Sequence, residues 1–291
     1  MAPAIESRDT LGPERAAAVR GLVLDWKQRF HRVPLSDQAL THLDAGASGI
    51  RHLVAVSDGK AVGYGQLDGA SLELVAEGDV AGELLDAIEP FPAGLRVWSH
   101  GRAEPLAALL PARGFVAVRT LHQFRGVLPA APPAVDPPLG VVIRSFEVGH
   151  DEDAWLQVNA RAFSAHPEQG RWTVEDLRAR EREPWFDPAG FLLADRDGQL
   201  LGFHWTKIHH DGTGEVYVLG VDPDAQGMRL GGTLLAAGLA YLIGRGCTAA
   251  MLYVDDDNPG AMRLYADAGF VPSDVDVQWA PISGTPAPPA A

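Results

Sequence analysis

The chain has 291 residues, 46% of them hydrophobic, which is long for one domain and ample for two domains with cores of their own. Its 24 Lys and Arg against 38 Asp and Glu leave a formal net charge of −14, a field that repels nucleic acid and anionic membranes and suits a cationic substrate. A single cysteine, Cys247, excludes an intramolecular disulfide and any cysteine-built metal site, and neither a signal-peptide core nor a run of bilayer length is present. A cytoplasmic monomer with a small-molecule substrate, no metal, no nucleic-acid partner and no membrane partner is expected.

In chain order, helices are predicted over 13–30, 36–44, 80–89 and 104–112, then over 151–163, 173–183, 230–245 and 259–268, with strands between them. Residues 129–139 hold five prolines and read as a linker, since proline lacks the N–H that a helix or central strand needs. Residues 282–291 are small and proline-rich and read as a disordered tail. The predicted domains are therefore 1–128 and 140–281.

The two halves share punctuation. In both, a strand, an Asp-Gly turn and a second strand follow one another, at Asp58-Gly59 and again at Asp197-Gly198. Both then close on a helix, a Gly-Phe pair and a strand, at Gly114-Phe115 and Gly269-Phe270. Two copies of one α/β unit explain the match.

Residues 214–270 carry the most chemistry. A β-branched run, Val216-Tyr217-Val218-Leu219-Gly220-Val221, stops at Asp222-Pro223. Gln226-Gly227-Met228-Arg229-Leu230-Gly231-Gly232 then leads into an apolar helix, whose unpaired N–H groups and dipole suit a pyrophosphate. Asn258-Pro259 heads a further helix, with Asn as cap and Pro at the first turn.

This order resembles the Gcn5-related N-acetyltransferases (GNAT), whose acetyl-CoA motif reads Gln/Arg-x-x-Gly-x-Gly/Ala. The resemblance implies two tandem GNAT domains, each a mixed, mostly antiparallel sheet flanked by helices, with acetyl-CoA as co-substrate. It places Leu219, Gly220 and Val221 on the pantetheine arm, Gln226 to Gly232 on the pyrophosphate, and Asn258, Pro259, Gly260, Ala261, Met262 and Arg263 along the CoA arm. Arg229 stands where the motif has its first glycine, and either adds a phosphate contact or crowds the cradle.

Amide formation from a thioester needs a base for the amine and an acid for the departing thiolate. Glu215 is an odd residue for a packed central strand, and Tyr265 lies two helical turns after Asn258 on the same face. A solvent-side Glu and a core Tyr explain both without chemistry; the resemblance makes them general base and general acid.

Ala162-Phe163-Ser164-Ala165-His166-Pro167-Glu168-Gln169-Gly170 and His204-Trp205-Thr206-Lys207 are similar to elements of the mycothiol synthase family, a tandem GNAT group. That resemblance implies acetyl transfer to the cysteine amine of cysteinyl-glucosaminyl-inositol. Glu168, Lys207, Tyr253 and Glu215 would contact the substrate, joined by Asp37 from the first half, where the family has Glu. A solvated loop Glu, a strand-edge Lys, a sheet Tyr and a helix-start Asp are the plain structural readings. The first half carries Glu77 and Asp79 at its helix start in place of the motif, so acetyl-CoA is not expected there. Two competitors stay open: a GNAT acting on a protein N-terminus, polyamine or aminoglycoside, and a non-catalytic CoA sensor.

Overall fold

The computed structural model of the chain describes residues 2–30, 32–45, 49–101, 105–131, 135–166 and 169–282, apart from the side chains of residues 37, 44 and 45. Two compact units emerge. Unit 1 comprises residues 1–122 and 274–291, and unit 2 residues 123–273. These boundaries differ from those read off the sequence because the last strand returns to unit 1, pairing Asp276–Trp279 with residues 97–100. Of residues 282–291, read as a disordered tail, Ile282 donates its N–H to Gly114 O at 2.9 Å, and 283–291 lie outside the described residues.

Unit 1 runs β1 (Ala4–Arg8), α1 (Pro13–Phe30), α2 (Asp37–Ala45), β2 (Ile50–Ser57), β3 (Lys60–Asp68), β4 (Ser71–Val75), α3 (Gly78–Asp86), β5 (Arg96–His100), α4 (Pro105–Ala112) and the start of β6 (Phe115–Val127). Strands β1 to β4 are antiparallel neighbours in sequence order, and β5 joins β4 in parallel. Helix α3 ends three residues before the predicted limit, because Ile88 and Glu89 turn into three-residue hydrogen bonds ahead of Pro90.

Ladder pairing between β4 and β5 stops at Glu73↔Trp98. Beyond it lies a buried polar cluster. His100 Nδ1 is 3.3 Å from Asp276 Oδ2 and its Nε2 3.3 Å from Glu73 Oε2. Arg32 reaches Asp274 at 3.0 Å and also Asp276, while Ser36 donates its N–H and hydroxyl to Glu73 at 2.6 and 2.7 Å. Burial pulls the His100 pKa down, but its hydrogen bonds to Asp276 and Glu73 outweigh that and raise it to about 10.

Unit 2 continues through β7 (Val142–Ser145), α5 (Glu152–Ala162), α6 (Val174–Glu181), β8 (Phe191–Arg196), β9 (Gln199–Ile208), β10 (Gly214–Val221), α7 (Leu230–Gly244), β11 (Ala249–Asp255) and α8 (Pro259–Asp267), then enters β12 (Val271–Pro281). The strand order is β7-β8-β9-β10-β11-β6, antiparallel through β10, with β11 parallel to it. Both Asp-Gly turns take positive φ at both residues, 49° and 75° at Asp58-Gly59 and 54° and 83° at Asp197-Gly198. That conformation matches the twist of paired strands and favours this dipeptide.

The sheet of unit 2 is covered on two faces. On one, α7 buries Leu235, Leu239 and Leu242 against Val216, Leu252 and Val254. On the other, α5 drives Trp155 into Phe191, Phe203 and Trp205, with ring centroids 5.2 to 5.9 Å apart in edge-on contact. Each such buried aromatic contributes about 4–6 kcal/mol of burial, so this cluster holds β8, β9 and α5 as one body.

Candidate active site

Strands β10 and β11 pair only through Gly214↔Ala250, Glu215↔Met251 and Val216↔Leu252. On its other edge β10 stays bonded to β9 as far as Val221, with a bulge at Tyr217 between Val216 and Val218. The extra residue bends β10. Leu219, Gly220 and Val221 therefore keep one ladder, and the edge facing β11 is released from pairing. Gly220 is needed at this bend, since a Cβ there would meet Phe203 and Phe163 at 2.9 and 3.0 Å.

Asp222 ends the strand and is gripped by Arg161 of α5, with Nε to Oδ2 at 2.7 Å and Nη2 to Oδ1 at 2.9 Å. The Arg161 hydrogen bonds hold the Asp222 carboxyl below its usual range. Asp222 Oδ1 also accepts from Asp224 N at 2.9 Å, which fixes the turn leading to Gln226. Gly227 takes φ 84° and Arg229 takes φ 63° at the N-cap of α7, where its side chain makes no capping bond. The left-handed turn that glycine ordinarily fills is thus made by an arginine.

The first intrahelical bond of α7 runs from Thr233 N to Arg229 O, at 3.3 Å. The N–H groups of Leu230, Gly231 and Gly232 precede it, pointing out of the helix start. Met228 and Leu230 face inward and anchor the turn on an apolar cluster with Leu201 and Leu234. A Cβ at Gly232 meets nothing within 4 Å, and one at Gly231 meets only Leu264 of α8, at 3.5 Å. An anion of phosphate size fits that open helix start, with backbone donors and the dipole to hold it.

Helix α8 begins as its sequence requires. Asn258 Oδ1 accepts from Ala261 N at 3.0 Å, and Pro259 fills the first helical position, followed by Gly260, Ala261, Met262 and Arg263. Tyr265 is buried on this helix beside Phe270, within the same apolar cluster as Val216 and Leu252. Burial pushes its pKa well up, so the phenol keeps its proton at any working pH. Tyr253, on β11 past the last ladder pair, accepts a hydrogen bond from Gln123 Nε2 at 3.0 Å.

Glu215 is 7% exposed and stands across the strand pair from Lys207. Lys207 is equally buried, not at a strand edge, with its ammonium 5.0 Å from the centre of the Trp185 ring and 5.6 Å from that of Tyr217. The partner that sequence reading missed is His209, whose Nε2 lies 2.7 Å from Glu215 Oε2. Its signal was spacing: Lys207, His209 and Glu215 alternate onto one face once residues 209–213 close a hairpin. Trp185 was missed for want of any local motif.

The loop after α5 is tied at both ends. Asn159 Nδ2 donates to Gln169 O at 2.6 Å, and Gln169 Nε2 returns a bond to Asn159 Oδ1 at 3.0 Å. Gln169 N donates to His166 Nδ1, which leaves the His166 Nε2 proton directed at Asp255, 3.5 Å away at the end of β11. Glu168, and the side chain of Asp37 at the start of α2, lie outside the described residues. Among the described residues no three His, Cys, Asp or Glu are grouped to hold a metal, and no helix is long and apolar enough to cross a membrane.

A parted parallel strand pair, an anion-ready helix start and a buried carboxylate and phenol on neighbouring elements define an acetyltransferase of the GNAT class. The family model described as "Acetyltransferase (GNAT) family" matches residues 154–270. The fold is similar to a tandem GNAT protein from the clavulanic acid biosynthesis pathway, with TM-score 0.71, 17% identity and coverage of 95% of this chain and 98% of that one. The chain is 52% identical to the mycothiol acetyltransferase of Thermomonospora curvata, over 84% of this chain and 86% of that protein. It is 44% identical to that of Thermobispora bispora, over 96% and 99%. The chain belongs to the mycothiol acetyltransferase family.

Proposed function

We propose that unit 2 transfers the acetyl group of acetyl-CoA to the cysteine amine of cysteinyl-glucosaminyl-inositol, the step that completes mycothiol. The observation that carries this reading is the parting of β10 from β11 beside the open start of α7. It offers unpaired backbone for an extended amide-bearing arm and N–H donors for a pyrophosphate.

Acetyl-CoA, when bound, supplies an acyl carbon activated as a thioester. Leu219, Gly220 and Val221 hold the arm by backbone, and residues 226–232 hold the phosphates. Glu215 takes the ammonium proton of the substrate, directly or through water, and so frees the lone pair that forms the amide. Tyr265, kept protonated by burial, gives its hydroxyl proton to the departing sulfur. Lys207, Tyr253 and Glu168 contact the acceptor. Unit 1 holds no acetyl-CoA in this reading, since Glu77 and Asp79 stand at the start of α3 and ion pairs fill the space past the β4–β5 ladder. The enzyme acts as a cytoplasmic monomer without metal.

The test is thiol release from acetyl-CoA in the presence of the cysteinyl sugar, compared with peptide amines, polyamines and aminoglycosides. Release with one of those and none with the cysteinyl sugar rejects the acceptor. Glu215→Gln should lower kcat about 10²- to 10⁴-fold while acetyl-CoA affinity is kept, as expected for loss of a general base; unchanged kcat removes Glu215 from the mechanism.

A further inference from the structure

A carboxylate as buried as Glu215 is costly unless hydrogen-bonded, and its usefulness as a base depends on which oxygen is free. The 2.7 Å contact from His209 Nε2 to Oε2 answers both needs. His209 is itself held in place, since its backbone N–H donates to Thr213 O at 2.9 Å and its carbonyl accepts from Gly212 N at 2.9 Å. Gly212, at φ 81°, and Asp211, whose Oδ1 accepts from Thr213 N at 3.0 Å, tighten the turn that carries it. On the other flank Lys207 sets its charge over the rings of Trp185 and Tyr217. The hairpin between β9 and β10 therefore presents an imidazole to the carboxylate from a rigid turn.

We propose that His209 is the positioning residue of the base: it donates Nε2–H to Glu215 Oε2, fixes the carboxylate rotamer and leaves Oε1 as the atom that takes the proton from the amine. This rests on the reading of Glu215 as general base. Charge-assisted hydrogen bonds of this kind are worth roughly 10- to 100-fold in an equilibrium or rate constant.

The experiment compares four variants by steady-state kinetics, acetyl-CoA binding by calorimetry, and urea unfolding. His209→Ala should lower kcat roughly 10- to 100-fold while KM and Kd for acetyl-CoA stay within about twofold of wild type. His209→Gln, whose amide Nε2–H falls where the imidazole Nε2–H was, should restore most of kcat. His209→Asn, one bond too short, should not. Wild-type kcat in His209→Ala or His209→Asn, or failure of His209→Gln to exceed His209→Asn, overturns the proposal. Glu215→Gln separates the two readings. If it alone is inactive, His209 has no part while Glu215 keeps its role; if it is as active as wild type, the base itself has been misassigned and this inference falls with it.

Discussion

Gly238, midway along α7, and His204, on β9 beneath it, form a size-matched pair whose sign can be reversed by mutation. A Cβ on Gly238 would stand 2.0 Å from His204 Nδ1 and 2.1 Å from its Cε1. The ring has no room to yield, being fully buried and held by Nδ1–H to Leu234 O at 2.8 Å. In isolation Gly→Ala inside a helix gains about 1 kcal/mol. Here the overlap costs about 1–3 kcal/mol and displaces a hydrogen bond worth about 1 kcal/mol, so Gly238→Ala should destabilise by about 1–3 kcal/mol net. In a His204→Ala background the obstruction is gone, and Gly238→Ala should stabilise by about 1 kcal/mol. Urea unfolding followed through the tryptophan emission of the wild type, the two single variants and the double variant closes the cycle, because contacting residues reveal their coupling only there. If Gly238→Ala shifts the midpoint in the same direction in both backgrounds, the packing argument is wrong.

Two buried histidines should give the stability profile opposite slopes. Burial lowers the His204 pKa to about 4 despite its bond to Leu234, so the unfolded chain takes up that proton first. Stability should fall by about 3 kcal/mol as pH drops from 6.5 to 4, and His204→Gln should flatten that limb of a urea titration. His100, raised to about 10 by Asp276 and Glu73 against its burial, contributes stability that is complete below pH 6.5 and lost as pH rises toward 10. His100→Gln should remove that loss; an unchanged alkaline limb contradicts the ion-pair assignment. At the α7 cap, Arg229→Gly should relieve the left-handed strain and raise stability by about 1 kcal/mol. Calorimetry with CoA then decides the role of the side chain: weaker binding in Arg229→Gly shows a phosphate contact, and tighter binding shows a crowded cradle.

Local signals decided much of this protein from sequence alone. Asp58-Gly59 and Asp197-Gly198 can hardly avoid positive-φ turns, Asn258-Pro259 caps and starts a helix by its own chemistry, and the apolar run of α7 needs burial on most sides. These features depend on neighbours within a few positions, so the tandem layout, the helix starts and the glycine-bearing turn between β10 and α7 were all readable in the chain. Contacts between distant positions were not. That His209 serves Glu215, that Trp185 roofs Lys207, that Arg161 clamps the turn after β10 and that Gly238 exists for the ring of His204 follow from sheet register and helix placement. The return of β12 to pair with β5 belongs with them, since a strand carries the same alternation whichever edge it joins. Only the folded geometry selects among such partners, because hydrogen bonding and close packing act across space, where separation along the chain carries no weight.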